Sequence, residues 1–538
     1  MKFFNKKGDA TASSEQKVSK GEEEINALLP DYGKYSFLKK SFLIKLNLLM
    51  FVVSLSSTNN GYDGSLLNGL QAMPKYNKYL GNPTGAVMGA INNGVVFGSL
   101  LSFPFVSKIC DYFGRRNTII IGDMILIIGV ILQSCSQNYA MFLVSRLVIG
   151  FGTNVSVVPS PTLMSELTYP SHRQVVTAVY NTCWYLGAII GAWVTFGTRN
   201  VSGEWCWRIP SICMAFWPVV QLAFILFVPE SPRWLVSKGR SEEARSILMK
   251  YHADNNEEVG GALVDFEMAE ISAAIQAEQM ADNFSYTDFL KTPGNRKRLY
   301  YVVFIGFAMQ MSGNGLVSYY LSKVLDSIGI TSTDEKLVVN GGLNIYNYFI
   351  SLFFAFIVGS FKRRTMFITS FSAMLVCYVI WTVLSCINQK RNFEEKSLGQ
   401  GVLAMIFFYY ASYNFGFNGL PYVYLTEILP FTLRAKGINI QQCVQQICSV
   451  YNGFVNSVAM DNMYPSSWRY YIVWVCVNAV ELVLCYFTFV ETSGRTLEEV
   501  AEVFGEKPVE IADIRDKKFS IETHEHSPSS ESLSQSPV

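Results

Sequence analysis

Two charged residues set in apolar sequence carry the clearest chemistry. Asp63 lies in the stretch Asn59-Asn60-Gly61-Tyr62-Asp63-Gly64, just after a largely apolar run from Ser41 to about Ser57. Arg146 lies in a later run, Arg146-Leu147-Val148-Ile149-Gly150-Phe151-Gly152. An acid beside hydrocarbon needs a partner, a proton or water. In general, burial strengthens a carboxylate's hold on its proton and a nearby cation weakens it. A pair whose surroundings change as the protein moves can therefore load a proton on one side and release it on the other. The expectation is that Asp63 cycles a proton near Arg146 and that this drives uptake of a polar solute. The plainer reading makes Asp63 an outer-loop carboxylate just past the membrane.

The elements that must position this pair are membrane spans. The chain has 538 residues, 50% of them hydrophobic and 16% charged, and a mean hydropathy of +0.23. Soluble proteins carry about a quarter charged residues, and here the apolar residues are gathered in long blocks. A net charge of +1 gives no case for nucleic acid. The eleven cysteines form no CxxC or Cys/His cluster, so no metal or other cofactor is expected. Twelve spans are predicted by length and lack of charge, near 41–62, 85–107, 117–136, 139–160, 174–197 and 209–229, then 299–321, 338–360, 365–387, 401–425, 437–460 and 468–490. Gly150 and Gly152 should let helices approach closely. The expected organisation is a polar tail 1–40, a six-helix half 41–229, a linker 230–298 with short helices near 241–245 and 264–279, a second half 299–490, and a tail 491–538 too polar to order itself after 518.

Lys and Arg are commoner in the joins after even-numbered spans (Lys108, Arg115, Arg116, Arg173, Lys362, Arg363, Arg364, Arg434, Lys436). By the positive-inside rule both termini and the linker are cytoplasmic, in a plasma-membrane protein that crosses many times. Asn200-Val201-Ser202 then faces outward as a glycosylation candidate, whereas Asn283-Phe284-Ser285 faces inward and stays bare.

The two sets of spans repeat a pattern. Asp111-Tyr112-Phe113-Gly114-Arg115-Arg116 follows span 2, and Gly359-Ser360-Phe361-Lys362-Arg363-Arg364 follows span 8. Glu166 precedes Arg173 by seven positions after span 4, and Glu427 precedes Arg434 by seven after span 10. A topology rule alone explains a basic pair but not the doubled Glu-Arg spacing, which suits a duplicated transporter whose charges pair at the cytoplasmic ends of neighbouring spans.

With these motifs on the page, the chain resembles the sugar porter family of the major facilitator superfamily over roughly 40 to 505. Pro229-Glu230-Ser231-Pro232-Arg233-Trp234-Leu235 and Glu491-Thr492-Ser493-Gly494-Arg495-Thr496-Leu497-Glu498-Glu499 match its signatures after spans 6 and 12. Gly61-Tyr62-Asp63-Gly64-Ser65-Leu66-Leu67-Asn68-Gly69 and Tyr180-Asn181-Thr182-Cys183-Trp184-Tyr185-Leu186-Gly187 resemble fungal lactose permeases and their cellodextrin-transporting relatives. The resemblance implies an all-α membrane fold of twelve helices in two pseudo-symmetric halves. It makes Asp63 and Arg146 the proton-coupling pair. It implies that Asp111, Arg115, Arg116, Glu166, Arg173, Glu230, Arg233, Arg363, Arg364, Glu427, Arg434, Glu491 and Arg495 form a cytoplasmic gate.

For the sugar, Gln310, Tyr319, Tyr320 and Asn344 match family positions, the two tyrosines as gating aromatics on the outer side. Asn181 stands in place of a glutamine, Tyr422 in place of a frequent tryptophan, and Asn452 matches an asparagine of span 11. Asn314 falls one place before the usual asparagine, where Gly315 stands. Amides and hydroxyls answer sugar hydroxyls, and aromatic faces cover the C–H side of a ring. Any single amide is better explained by an interhelical hydrogen bond, and it is the set on spans 5, 7, 8, 10 and 11 that favours a sugar site. Asn181, Tyr422 and Gly315 should enlarge the cavity, which suits a disaccharide such as lactose or cellobiose better than a hexose. Gly359 and Lys362 replace the family's aspartate and glycine, so the second lock is expected to be weaker or built differently.

The function expected is proton-coupled sugar import by alternating access. An uncoupled hexose facilitator and a non-transporting sensor are the competing readings, the second disfavoured by a short tail without repeats. The partners are a small sugar, a proton and the bilayer, with no protein partner indicated. No hydrolase triad or phosphate-cradling loop suggests an enzyme. Asp123 and Glu481, charged residues inside spans 3 and 12, are expected to pair with nearby Lys or Arg or to make interhelical polar contacts.

Overall fold

In hydrocarbon every backbone N–H and C=O must find its partner within the segment, so long apolar runs become helices. A computed structural model describes residues 40–281, 285–357, 361–463 and 466–493, together with Phe504. Asn283, Gly359, Arg495 and the rest of both tails lie outside the described residues. Span 1 is the helix Ser41–Gln71, span 2 Gly85–Phe113, span 3 Arg115–Ser134, span 4 Tyr139–Val157 continued by Pro159–Leu167, span 5 Arg173–Thr198, and span 6 Trp205–Cys213 with Phe216–Ile225. Four linker helices follow: Pro232–Ser237, Ser241–His252, Glu257–Ala281 and Asp288–Lys291. Span 7 is Pro293–Met311 with Asn314–Asp326, span 8 Thr333–Ile357, span 9 Arg363–Lys390, span 10 Lys396–Phe417 with Leu420–Ile428, span 11 Phe431–Asn462 and span 12 Trp468–Thr488. The fold is an all-helical bundle of two pseudo-symmetric halves. Its faces are called here the linker side, where the four linker helices lie, and the far side.

Spans 1–4, 6, 8, 9 and 12 are long and apolar enough to cross a bilayer by composition alone. Spans 5, 7, 10 and 11 fall outside that set and carry polar and aromatic side chains such as Tyr185, Gln310, Tyr410 and Gln441. Local chemistry sets the breaks. Asn138 caps span 4, its side chain accepting from the Met141 N–H at 2.8 Å, and Pro159 restarts that span. In span 7, Gly313 takes φ +94, and an added Cβ would lie 2.2 Å from the Tyr378 hydroxyl. That hydroxyl donates to the Gly313 carbonyl at 2.9 Å, so the hinge needs glycine for both backbone and space.

Span 1 corrects the predicted limits. It runs nine residues past 62, although Asn59, Asn60, Gly61 and Gly64 are weak helix formers. Close packing overrides propensity: a Cβ on Gly61 would meet the Trp184 carbonyl of span 5 at 1.8 Å. Asp63 is therefore inside a helix, about two turns from its end, and is not a loop carboxylate. Gly150 and Gly152 do permit close approach, to Val95 of span 2 and Leu126 of span 3.

Within the first half, span 1 packs on span 5 and span 4 on spans 2 and 3; in the second, span 9 packs on spans 10 and 12 and span 7 on span 11. The halves meet where span 2 lies against span 11 and span 5 against span 8. Hydrogen bonds between halves, among the described residues, run from midplane to the far side. The deepest is Tyr185 to Asn414 at 2.9 Å. Farther out, Asn68 donates to the Ser318 carbonyl at 2.7 Å, Asn93 to that of Val450 at 3.0 Å, and the Gly85 N–H to Asp461 at 2.5 Å. Arg199 pairs with Asp334. The molecule is closed on its far side.

Candidate functional site

Asp63 and Arg146 meet face to face. Nη1 of Arg146 lies 2.5 Å from Oδ1 of Asp63 and Nη2 3.1 Å from Oδ2. The side chains are 8% and 3% exposed. A two-pronged guanidinium–carboxylate contact is the geometry that best offsets the desolvation of both ions. Removing either partner strands the other, at a cost of about 3–5 kcal/mol.

The helix that holds Asp63 also reaches the second half. Asn340 and Asn344 of span 8 donate to the Ser65 hydroxyl at 3.2 and 3.1 Å, and Asn68 holds span 7 at Ser318. Ser65 and Asn68 lie two and five positions beyond the coupling carboxylate.

The predicted sugar residues are only partly brought together. Gln310 and Asn452 meet: the Asn452 amide donates to the Gln310 carbonyl at 2.6 Å. Oε1 of Gln310 and Oδ1 of Asn452 are buried without partners. Asn314 accepts from Ser318 at 2.8 Å, and Ser318 shares a 2.9 Å hydrogen bond with Tyr410. Asn344 is committed to span 1. Tyr319 hydrogen-bonds Ser449 at 3.2 Å, whereas Tyr320 is fully buried in an apolar cluster whose other buried members all belong to the first half and donates to the Gly453 carbonyl. Its φ of −136 breaks the helix there. Asn181 and Tyr422 stay apart from these groups. Asn181 is exposed one turn from Tyr185 on the same face of span 5, and the Tyr422 hydroxyl accepts from Gln442 at 2.9 Å. Gly315 opens no cavity, because Asn452 packs on it, 3.0 Å from where a Cβ would be. One support for a disaccharide-sized site is therefore gone.

Sequence reasoning missed several interior polar residues that a helical-spacing search reveals. Asn340, Asn347 and Ser351 form one stripe of span 8 with the predicted Asn344, and Gln441, Gln445, Ser449 and Asn456 form one of span 11 with the predicted Asn452. Asn414 of span 10 joins Tyr185 to Asn347, the latter at 3.2 Å. Tyr410 neighbours both Tyr185 and Tyr319.

The linker-side charges pair within each half. Arg115 faces Glu166 at 3.6 Å, and Ser231 also donates to Glu166. Glu230 accepts the backbone N–H groups of Arg115 and Arg116 at 2.9 and 3.1 Å, and the Arg116 side chain donates to the Val228 carbonyl at 3.3 Å. In the second half Arg363 faces Glu427 at 3.3 Å, Glu491 accepts the N–H groups of Arg363 and Arg364 at 2.9 and 3.1 Å, and the Arg364 side chain donates to the Tyr486 carbonyl at 2.6 Å. The carboxylates of the doubled Glu-Arg spacing thus take the arginine that opens the span after the loop motif. Arg173 and Arg233 sit beside this network, at the starts of span 5 and of the first linker helix. Asp111 is exposed and takes part through its carbonyl, which accepts from Trp234 Nε1 at 3.0 Å. Arg434 is half-buried and its Nε has no partner.

Of the other intramembrane acids, Asp123 makes the interhelical polar contact that was one of its two expected roles, and Glu481 makes neither among the described residues. Asp123 accepts from Ser156 at 2.8 Å, and both carboxylate oxygens of the buried Glu481 lack a partner. Asn200 is exposed on the far side.

The family model described as "Sugar (and other) transporter" matches residues 49–504. Hexose transporter 2 of Kluyveromyces lactis is 28% identical, covering 87% of this chain and 84% of its own. The MFS-type transporter oryC of Aspergillus oryzae is 27% identical, covering 77% and 76%. The inward open structure of the xylose transporter XylE from E. coli superposes with a TM-score of 0.68 at 19% identity, over 85% of this chain and 99% of that one.

Proposed function

The chain belongs to the sugar transporter family of the major facilitator superfamily, and from that premise we propose that it imports a neutral sugar together with a proton across the plasma membrane. The observation that carries the coupling is the buried Asp63–Arg146 pair, on a helix whose next two turns bond to spans 7 and 8. Protonating Asp63 removes the charge that holds Arg146. The resulting shift of span 1 moves Ser65 and Asn68 against the amides of the sugar site. Gln310, Asn314, Asn452 and Tyr319, with Asn181 and Tyr422 nearer the linker side, offer the donors, acceptors and ring faces that a neutral sugar needs.

In this reading the linker side is cytoplasmic, with both termini there, and Asn200 can carry a glycan outside. The halves 41–229 and 299–490 rock as bodies about the site, joined by the linker, and Tyr320 is the outer gate, shut in this inward-facing form. The linker-side charges form the inner gate. Spans 2 and 11 run antiparallel, with Asn93 opposite Val450. Asp111 lies eighteen residues along span 2 from Asn93, and Arg434 sixteen residues back along span 11 from Val450. The two charges therefore come level, and they meet when this side closes. A hexose is supported by the names of the relatives, and a disaccharide by the lactose-permease-like motifs.

The test is sugar-induced proton uptake by purified protein in vesicles. Wild type should take up protons on sugar addition and concentrate sugar on a proton gradient alone. Asp63→Asn should lose accumulation but keep exchange. Accumulation by that variant on the proton gradient alone would sink the assignment and leave a facilitator. Glucose, galactose, lactose and cellobiose as competitors at two pH values would name the sugar.

A further inference from the structure

Spans 1 and 4 face each other through two polar stripes. Ser56, Asn59 and Asp63 repeat along one face of span 1; Arg146, Thr153 and Ser160 repeat every seven residues along span 4. Contacts pin the stripes at both ends. Asp63 meets Arg146 toward the midplane, and the Ser56 hydroxyl donates to that of Ser160 at 2.8 Å on the linker side. Between these pins the polar groups have no partners. Both amide atoms of Asn59 are unbonded, as are the Thr153 hydroxyl and Nε of Arg146. Asn59 is 2% exposed, Thr153 6% and Arg146 2%. Leaving one buried polar group unmet costs about 1–3 kcal/mol, so four such atoms on facing stripes call for a common partner between them.

We propose that this seam is a hydration site, in which ordered water held by Asn59, Thr153 and Nε of Arg146 receives the proton of Asp63. The inference rests on the proton-coupled reading given above. A buried water makes about three hydrogen bonds, and these three side chains supply a donor, a hydroxyl and an amide. Asn59 lies one turn from Asp63 toward the linker side, about 6 Å along the axis. The step balances without another reactant: the Asp63 O–H bond breaks, a seam water gains that proton and passes on one of its own toward the Ser56–Ser160 pair, and Asp63 is left as the carboxylate that Arg146 grips. With the far side closed and Asp63 almost wholly buried, the seam gives the proton a way down that does not cross the sugar.

Two measurements on the full-length protein test this. A density map that resolves ordered water should show it between Asn59 and Thr153, and a dry seam overturns the proposal. In vesicles, Asn59→Leu and Thr153→Val should each slow proton-driven accumulation about tenfold, the rate equivalent of one lost hydrogen bond. Sugar counterflow, which needs no net proton movement, should stay near wild type and shows that the variants fold. Asn59→Ser, which replaces the amide with a hydroxyl and leaves room for water, should restore most of the rate. Wild-type coupling in both apolar variants overturns the seam while leaving the coupled reading intact. Absence of sugar-induced proton uptake in wild type removes the coupled reading, and the proton route with it, whatever the map shows.

Discussion

The linker-side ends of spans 3 and 9 solve one problem with different backbones. Each helix begins with two arginines whose N–H groups need acceptors, and in each a glutamate from a chain segment leaving the bundle supplies them. Glu230 does so with one oxygen, which also takes the Ser231 N–H at 2.9 Å. Glu491 uses both oxygens, and one also takes the Ser493 N–H at 3.0 Å. The residue before each helix differs. Gly114 takes φ +91, and a Cβ there would sit 2.4 Å from Glu230. Lys362 takes φ −66 and ψ 135, an ordinary extended conformation. The carboxylate cap is thus what duplication has kept, and the glycine is only one way of letting it in. Lys362 does not abolish the second lock; it accompanies a different approach of the cap.

The largest expected effects come from removing the caps. Glu230→Ala deprives three N–H groups of their acceptor and frees Glu166 to pull on Arg115 alone. It should lower stability by about 3 kcal/mol. Glu491→Ala, at a more open site, should cost about 2 kcal/mol because water replaces part of the loss. Thermal unfolding midpoints of the purified variants in one detergent check the order. If Glu491→Ala proves the more damaging, the second half depends on its cap more than the geometry implies.

Next comes the residue before each helix. Gly114→Ala places a side chain at positive φ, about 1–2 kcal/mol, and displaces Glu230 as well, so about 2–3 kcal/mol in all. Lys362→Gly should change stability by less than about 1 kcal/mol, since only chain entropy is lost. Equal midpoints for these two variants would show that the asymmetry is incidental.

These contrasts also mark what the sequence could disclose. Twelve spans were legible because bilayer thickness forces long apolar runs, and Asp63 with Arg146 because ions in such runs demand one another. The end of span 1 was not, because helix propensity misjudges Asn and Gly that pack against a neighbour. That Glu166 pairs with an arginine of a neighbouring span was legible, but which arginine was not. Arg115 lies fifty-one residues back along the chain, on the span beyond the loop motif, and only packing brings it to Glu166. Single amides such as Asn452 could be placed on a span but not given a partner, since only packing tells a bond to Gln310 from one to a sugar. The stripes on spans 8 and 11 were readable in principle, because their spacing is helical.

The smallest expected effect is a slope with pH, confined to the first half. There the network is tied to the linker: the His252 ring, 1% exposed, lies 2.7 Å from Glu267 by Nδ1 and 3.1 Å from the Leu167 carbonyl by Nε2. Leu167 follows Glu166, and the Tyr169 ring packs on the imidazole. Both neighbours are acceptors, so only the doubly protonated ring satisfies both. Burial opposes that charge, but the Glu267 charge and hydrogen bond, with the Leu167 carbonyl, outweigh both burial and the repulsion of Arg173, and the net shift is upward from 6.5. The sign follows from linkage: a group whose folded pKa is raised stabilises fully below about 6.5 and loses that contribution as pH climbs through the folded value. The gap in melting midpoint between wild type and His252→Gln should therefore be widest in mild acid and shrink toward alkaline pH. In the second half the matching carbonyl, that of Ile428 after Glu427, accepts instead from Nε of Arg298 at 2.9 Å, and a guanidinium keeps its charge across this range, so Glu491→Ala should leave the slope intact. Parallel melting curves for wild type and His252→Gln across that range would mean that the ring is neutral and the clasp carries no charge.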